Sequence, residues 1–131
     1  MNLKTVYEGI SVGTLGDYPT EDNKTRFGLR GMNFCRGAAK LAGVTLDKGY
    51  PYHNKGGIAG LGEVYCNISH PSNKEVLEIC LAESTPYYRT NGPRGYGNNV
   101  SMGREPFSGK DILEEWTEEK LAEVIRKFMA G

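Results

Sequence analysis

The fold depends on residues 62–84, which read GEVYCNISHPSNKEVLEICLAES. In the first part of this stretch, residues 62–69, apolar and polar side chains alternate, with Val64, Cys66 and Ile68 on one side. Alternation at a period of two residues is typical of a strand with one buried face. We therefore predict a half-buried strand over residues 62–69.

The second part, residues 72–84, fits two structures. Ser72 and Glu75 form a capping box ahead of an apolar run, which favours a helix. The apolar side chains of residues 77–81 instead alternate, and residues 70–73, HPSN, would form a tight turn into a second hairpin strand. We favour the helix and keep the hairpin strand as the alternative.

The segments before this stretch predict one strand and one helix. Residues 5–15 are rich in β-branched side chains and predict a strand. A polar loop is expected over residues 17–24. A helix follows over residues 31–42, with an alanine-rich apolar side, and Gly43 ends it. Residues 45–61 are expected to form a long ordered loop.

The last third of the chain predicts an irregular stretch followed by helices. Residues 86–109 are glycine-rich, and so long a stretch without regular structure is usually functional or disordered. Ser108 and Asp111 predict a short helix through Trp116, and Thr117 begins a second, strongly amphipathic helix. The whole chain, residues 1–131, is thus expected to be one α+β domain: a small antiparallel sheet, one alanine-rich helix and a C-terminal helical pair.

The charge balance excludes several classes of protein. The 131 residues hold 16 Lys and Arg against 16 Asp and Glu, so the formal net charge is zero. A nonspecific nucleic-acid coat or a charged linker would need a strong imbalance. The charge is nevertheless segregated, because residues 24–55 hold seven bases and one acid, and residues 86–110 hold four bases and one acid. This segregation favours local recognition of a small anion, or self-association between basic and acidic faces.

The cysteines indicate a reducing compartment. Cys35, Cys66 and Cys80 lie in apolar patterns without a C-x-x-C pair, so we expect buried free thiols in a cytosolic protein. No signal peptide or membrane span is recognisable in the sequence. We find no metal-ligand spacing and no Walker motif, and expect no metal, no cofactor and no membrane partner.

The first candidate site is a basic cluster formed by Arg26, Arg30 and Arg36. If a helix starts near residue 31, the first two arginines lie just before its N-terminus, an end that favours anions. Arginine also makes bidentate contacts with phosphate and carboxylate groups. The alternative is a solvated basic face that pairs with the acidic C-terminal helix.

The second candidate site is the stretch 86–109, where tyrosine and arginine alternate with glycine and asparagine. Tyrosine stacks on bases, arginine binds phosphate and glycine permits close backbone approach. The same composition suits a protein-binding loop or a mobile surface loop. The candidate ligand-binding residues are Tyr87, Tyr88, Arg89, Asn91, Arg94, Tyr96, Asn98, Asn99 and Arg104.

The third candidate site consists of His53 and His70, the two histidines of the chain. One base and one acid suffice for a metal-independent ribonuclease or phosphodiesterase. Each histidine nevertheless lies in a turn sequence, where a hydrogen-bonded structural role is more common. We therefore keep catalysis as an alternative.

The function we predict is binding without catalysis. The preferred ligand is small, anionic and nucleotide-like, and the protein would act as an accessory or inhibitory protein that sequesters it. One alternative is a protein-binding inhibitor of an enzyme that uses the Tyr/Arg/Gly loop. The C-terminal helix carries an apolar stripe of Leu121, Ile125, Phe128 and Met129, which we expect to pack in the core. A homo-oligomer, in particular a dimer through this stripe, is the further expectation.

Overall fold

Strands form one antiparallel sheet in the computed structural model, which describes residues 1–10, 19–57 and 60–131. They lie in the order β1-β2-β3-β4-β5, and β6 pairs with β4 beside β5. With the helices given below, this confirms the predicted α+β class. The strands are β1 (Tyr52–Asn54), β2 (Glu63–Ser69), β3 (Val76–Ala82), β4 (Tyr87–Gly92), β5 (Gly95–Tyr96) and β6 (Val100–Ser101).

The stretch 62–84 forms the central hairpin of β2 and β3. The predicted strand over 62–69 is confirmed, whereas the favoured helix over 72–84 is wrong and the hairpin alternative holds. Leu77 and Leu81 pair with Ile68 and Val64 in register, so the alternating apolar side chains share one buried face. In the turn, Nδ1 of His70 accepts the Ser72 N–H, a local bond that competes with helix formation.

The stretch 86–109 is not irregular, because it contains β4, β5 and β6. Tyr96 lies opposite Asn91, and Val100 lies opposite Tyr88. From Tyr96 to Val100 the chain advances by four residues, whereas the paired residues on β4, Asn91 and Tyr88, are three residues apart. The extra residue places a β-bulge in residues 97–99. The bulge lets one extra residue into the edge of the sheet while both halves stay paired.

The main helix, α2 (Glu21–Ala42), begins ten residues before its predicted start, so the predicted start and the loop over 21–24 are wrong. Thr20 caps it by accepting the Asn23 N–H, and Gly43 ends it with φ of 72°. Glycine lowers helix propensity, and Gly28 and Gly31 in the first half of α2 conceal the helical pattern. Residues 17–18 lie outside the described ranges.

The N-terminus also departs from the prediction of a strand over 5–15. Residues 3–7 form a short helix, α1 (Leu3–Tyr7), while residues 11–15 lie outside the described ranges. Asn2 caps α1 by accepting the Thr5 N–H at 3.1 Å. The buried side chains of Leu3 and Val6 lie one helical turn apart, and this pairing outweighs the β-branched composition.

The C-terminal helix α3 (Glu118–Ala130) is confirmed, with Thr117 as its cap. The predicted short helix before it is reduced to a 3-10 turn, Leu113–Glu115, and Ser108 bonds to Glu105 instead of capping it. The expected loop over 45–61 contains β1; residues 58–59 lie outside the described ranges.

The helices pack on one face of the sheet and form the core with it. The large buried side chains of α2, Phe27 and Phe34, join the apolar side chains of β2 and β3 in this core. The three cysteines are free and buried, as predicted. Among the described residues, no helix has the length and apolar character needed to cross a membrane.

Candidate functional site

The face of the sheet opposite the helices is not covered by any described element, and we call it the open face. Residues directly opposite each other in antiparallel strands point to the same side, so the register shows which side chains share this face. The face is rich in tyrosine and asparagine. Its side chains are Tyr52, Asn54, Glu63, Tyr65, Asn67, Ser69, Val76, Glu78, Cys80, Ala82, Tyr87, Arg89, Asn91, Tyr96 and Ser101.

Three tyrosines form a row across the open face. Tyr52 lies opposite Tyr65, with ring centroids 5.4 Å apart, and Cys80 separates Tyr65 from Tyr87. Tyrosine hydroxyls are neutral at neutral pH, and burial raises the pKa of both Tyr65 and Tyr87 further above the ordinary tyrosine value. The row provides an uncharged aromatic platform.

Arg89 lies beside this platform in a fixed orientation. Its Nε donates a hydrogen bond to Glu78 Oε2 at 2.7 Å, and its guanidinium carbon lies 4.2 Å from the centre of the Tyr96 ring. The hydrogen bond with Glu78 raises the pKa of Arg89. The two Nη groups donate no hydrogen bond to any described residue, and so they are available to an acceptor outside the chain.

A shallow cavity of about 350 Å³ lies at the end of the β4–β5 hairpin, and it is lined by Tyr96, the ring against which the Arg89 guanidinium lies. Asn91 lines it, donating from Nδ2 to Glu78 Oε1, while its buried Oδ1 has no partner among the described residues. Lys74 lines the same cavity from the β2–β3 turn, and Arg94 lines a neighbouring one. We call Lys74, Arg89, Asn91, Arg94 and Tyr96 the hairpin site.

The structure brings part of the predicted loop together and separates the rest. Tyr87, Arg89, Asn91 and Tyr96 share the open face, and Arg94 lies at the adjoining hairpin turn. The remaining predicted residues lie elsewhere. Tyr88 points to the helical side and packs against Trp116, Asn98 and Asn99 are exposed at the bulge, and Arg104 follows β6 at the far end of this edge.

The arginines of the first candidate site are not part of the hairpin site, because α2 lies on the other side of the sheet. Arg26 lies inside α2 and pairs with Asp22 at 2.6 Å. Arg30 donates to the Glu8 carbonyl at 2.6 Å, and Arg36 donates to Asn33. Because α2 begins at Glu21, the premise that Arg26 and Arg30 precede a helix N-terminus is wrong.

The two histidines are also kept apart. His53 faces the helices, and its Nε2 lies 2.6 Å from the Leu61 carbonyl. His70 accepts two turn N–H groups at Nδ1 and packs edge-on against Phe128. His53 pairs with Val64, six residues before His70, so about 20 Å of strand separates the histidines at 3.3 Å per residue. This geometry does not form an acid–base pair.

Lys74 is the residue that sequence reasoning missed. It adopts a left-handed backbone conformation, with φ of 62°, which directs the turn so that the lysine lines the cavity beside Asn91. A single lysine between Asn73 and Glu75 gives no motif, so its role appears only once β3 is seen to pair with β4.

Within the described ranges, no group of three or more His, Cys, Asp or Glu side chains is arranged to hold a metal ion. Comparisons with protein-family models, with curated proteins and with solved structures find no significant match. The function is therefore inferred from the chain's own side chains.

Proposed function

We propose that the chain is a non-catalytic binding protein for a small, anionic, nucleotide-like ligand, which it holds at the hairpin site. The observation that carries the proposal is the fixed guanidinium of Arg89, held by Glu78 and lying against Tyr96 with both Nη groups free of described partners. Such pre-oriented donors bind phosphate or carboxylate without first being ordered, which lowers the entropic cost of binding.

The remaining groups of the site suit the other parts of a nucleotide. Tyr96 is 72% exposed, and a base stacked on an aromatic side chain gains about 1–3 kcal/mol. Lys74 and Arg94 lie on either side of the hairpin end, where they would attract the phosphate.

The local charge sets the size of the ligand. Lys74, Arg89 and Arg94 outnumber the two nearby acids, Glu75 and Glu78, by one. A long nucleic acid would need many phosphate contacts, whereas one excess positive charge suits a mono- or dinucleotide. Because the two histidines are held apart, we infer a sequestering or inhibitory role for the chain. We infer a cytosolic location because buried free thiols suit a reducing compartment.

A second candidate, a protein-binding inhibitor, is favoured by the tyrosine row. Tyr52, Tyr65 and Tyr87 lie on a flat face together with asparagines, a composition common in protein-binding surfaces. Such a partner would bury the whole row, whereas a nucleotide needs only the hairpin site. Tyr52→Ala, at the far edge of the row, should therefore weaken only protein binding.

Calorimetric titration with nucleosides and with mono-, di- and cyclic nucleotides tests the proposal. For the ligand that binds, Arg89→Ala should weaken affinity by about tenfold to a hundredfold, the value of a charge-assisted hydrogen bond. Arg26→Ala is the matched control, because Arg26 is also an ion-paired arginine but lies on α2. Arg89→Lys keeps the positive charge but removes the planar guanidinium donors that can bind one anion through two hydrogen bonds, so it should also weaken binding.

Two results would contradict the proposal. One is that no nucleotide in the panel binds. The other is that Arg26→Ala weakens the affinity as much as Arg89→Ala does, which would show that the effect is one of overall charge.

A further inference from the structure

Three tyrosine rings lie in contact at the β1 edge of the open face. Tyr50 lies next to Tyr52, with ring centroids 5.5 Å apart, and Tyr52 lies next to Tyr65, with ring centroids 5.4 Å apart. Neighbouring rings are tilted by 44° and 34°. Tyr52 is 43% exposed and Tyr65 is half-buried. The rings therefore form a partly exposed aromatic surface at the opposite edge of the sheet from the hairpin site.

A carboxylate without a cation lies beside these rings. Glu63 precedes Tyr65 by two residues on β2, so both side chains point to the open face. Its neighbours across the strands are Asn54 and Ala82, which carry no charge. Burial raises the pKa of Tyr65 and the negative charge of Glu63 raises it further, as expected for a carboxylate near this tyrosine. Glu63 forms no ion pair with any described residue. We call the three tyrosines and Glu63 the edge site.

The other end of the same face shows what a glutamate and a tyrosine hold together. Glu78 accepts a hydrogen bond from Arg89 Nε at 2.7 Å, and the guanidinium carbon lies 4.2 Å from the centre of the Tyr96 ring. The cation thus pairs with the carboxylate and also lies over the negative face of the ring. The edge site has the same two components, and no described residue contributes a cation to it.

We propose that the edge site binds an arginine side chain of a partner protein. Charge selects this occupant, because an unpaired carboxylate beside aromatic rings attracts a cation and repels the phosphate that suits the hairpin site. A guanidinium group fits better than an ammonium group, since it is planar and can stack on a ring while it donates to a carboxylate.

The surroundings of the edge site favour a side chain carried by a protein. Free small molecules are usually held in concave pockets, whereas this site lies on the surface of a sheet. Asn54 and Asn67 present amide groups to the same face, where they can form hydrogen bonds with the backbone of a bound segment. The proposal is independent of nucleotide binding, because no residue of the edge site belongs to the hairpin site; it rests on the second candidate function and gives the chemistry of that partner.

An NMR titration of the isotopically labelled protein with a capped peptide, one arginine among glycines and serines, tests the proposal. We expect the backbone signals of Tyr52, Glu63 and Tyr65 to shift while those of the hairpin site do not. A peptide with citrulline in place of arginine has nearly the same shape without the charge. It should bind about threefold to thirtyfold more weakly, because both the ion pair and the cation–aromatic contact are lost.

Two variants define the contact. Glu63→Gln removes the charge and should weaken binding of the arginine peptide by about twofold to fivefold, the range of an exposed ion pair. Glu123→Gln is the matched control, because it changes the net charge equally at an exposed position of α3, on the other side of the sheet, and it should bind as the wild type does. Tyr65→Leu removes the ring beside Glu63 and should weaken binding by a similar factor. Circular dichroism checks that each variant is folded.

The outcomes separate the proposal from its competitors. An arginine peptide that shifts no signal of the edge site overturns it, as does a citrulline peptide of equal affinity. A folded Glu63→Gln variant that binds the arginine peptide as tightly as the wild type also overturns it. If free arginine binds as tightly as the peptide, a small cation is the occupant and docking of a partner is overturned. The nucleotide titrations use a different ligand and a different site, so a failure of either proposal is recognised separately.

Discussion

Replacing Gly31 by alanine tests how closely α2 lies against the sheet. An alanine Cβ at this position would lie 2.8 Å from Val64 Cγ2 and 3.4 Å from Leu81 Cδ1. Carbon atoms in contact are about 3.5–4.0 Å apart, so the helix or Val64 would have to move by about 1 Å. Val64 is fully buried and its β-branched side chain has few rotamers, so it cannot easily turn away.

The magnitude follows from two opposing effects. Overpacking a core costs about 1–3 kcal/mol, while replacing a helical glycine by alanine gains about 1 kcal/mol. We expect Gly31→Ala to lower the free energy of unfolding by about 1 kcal/mol. Gly37→Ala is the matched control on the same helix, because its Cβ would meet only the flexible carboxylate end of Glu118.

The control should not lower the stability. The Glu118 carboxylate can move aside at the expense of its surface ion pair with the N-terminus, which is worth at most about 1 kcal/mol. Gly37→Ala should therefore be neutral or stabilising by up to about 1 kcal/mol. Urea unfolding, followed by circular dichroism and Trp116 fluorescence, measures both changes. If Gly31→Ala stabilises the protein as much as Gly37→Ala, the close approach of α2 to Val64 is wrong.

Three further predictions concern titration, thiol access and capping. Burial raises the pKa of Tyr7, Tyr65 and Tyr87 above the ordinary value of 10.0, so their contribution to stability is present below pH 10 and is lost as pH rises through the raised values. The urea midpoint and the tyrosinate absorbance, measured as functions of pH, should show this alkaline loss of stability. A urea midpoint that does not change at alkaline pH would refute it. Cys35, whose pKa is raised by its hydrogen bond with Cys66 and by burial, should resist Ellman's reagent in the folded protein, as should the other two buried thiols, and all three should react in urea. Thr117→Ala removes the cap of α3 and should lower stability by about 1 kcal/mol in the same unfolding assay, whereas Thr25→Ala, an exposed threonine inside α2, should change it less.

The sequence predicts best those elements whose burial pattern is regular. β2 alternates along its whole length, and α3 has a continuous apolar stripe after a threonine cap, so both are recognisable without tertiary information. The start of α2 is not recognisable in the sequence because its glycines, which allow close packing against His53 and Val64, lower the helix propensity. In β3 the strand pattern competes with a capping box that instead lies in a turn.

The candidate site is predictable in composition but not in arrangement. The tyrosines and arginines of residues 86–109 indicate binding, yet only the strand register shows that Tyr87, Arg89 and Asn91 share a face while Tyr88 points to the other. Lys74 joins them through the β2–β3 turn, a long-range contact that leaves no pattern in the sequence.

The bulge in residues 97–99 has a consequence for how any other chain can approach the sheet. A neighbouring strand adds to a sheet only where several consecutive backbone groups are evenly spaced, and the bulge interrupts that spacing at one edge. The opposite edge, β1, offers just three residues. Both borders are therefore poor templates for backbone pairing, which protects the protein against edge-to-edge aggregation and leaves side chains as the means by which it recognises other molecules.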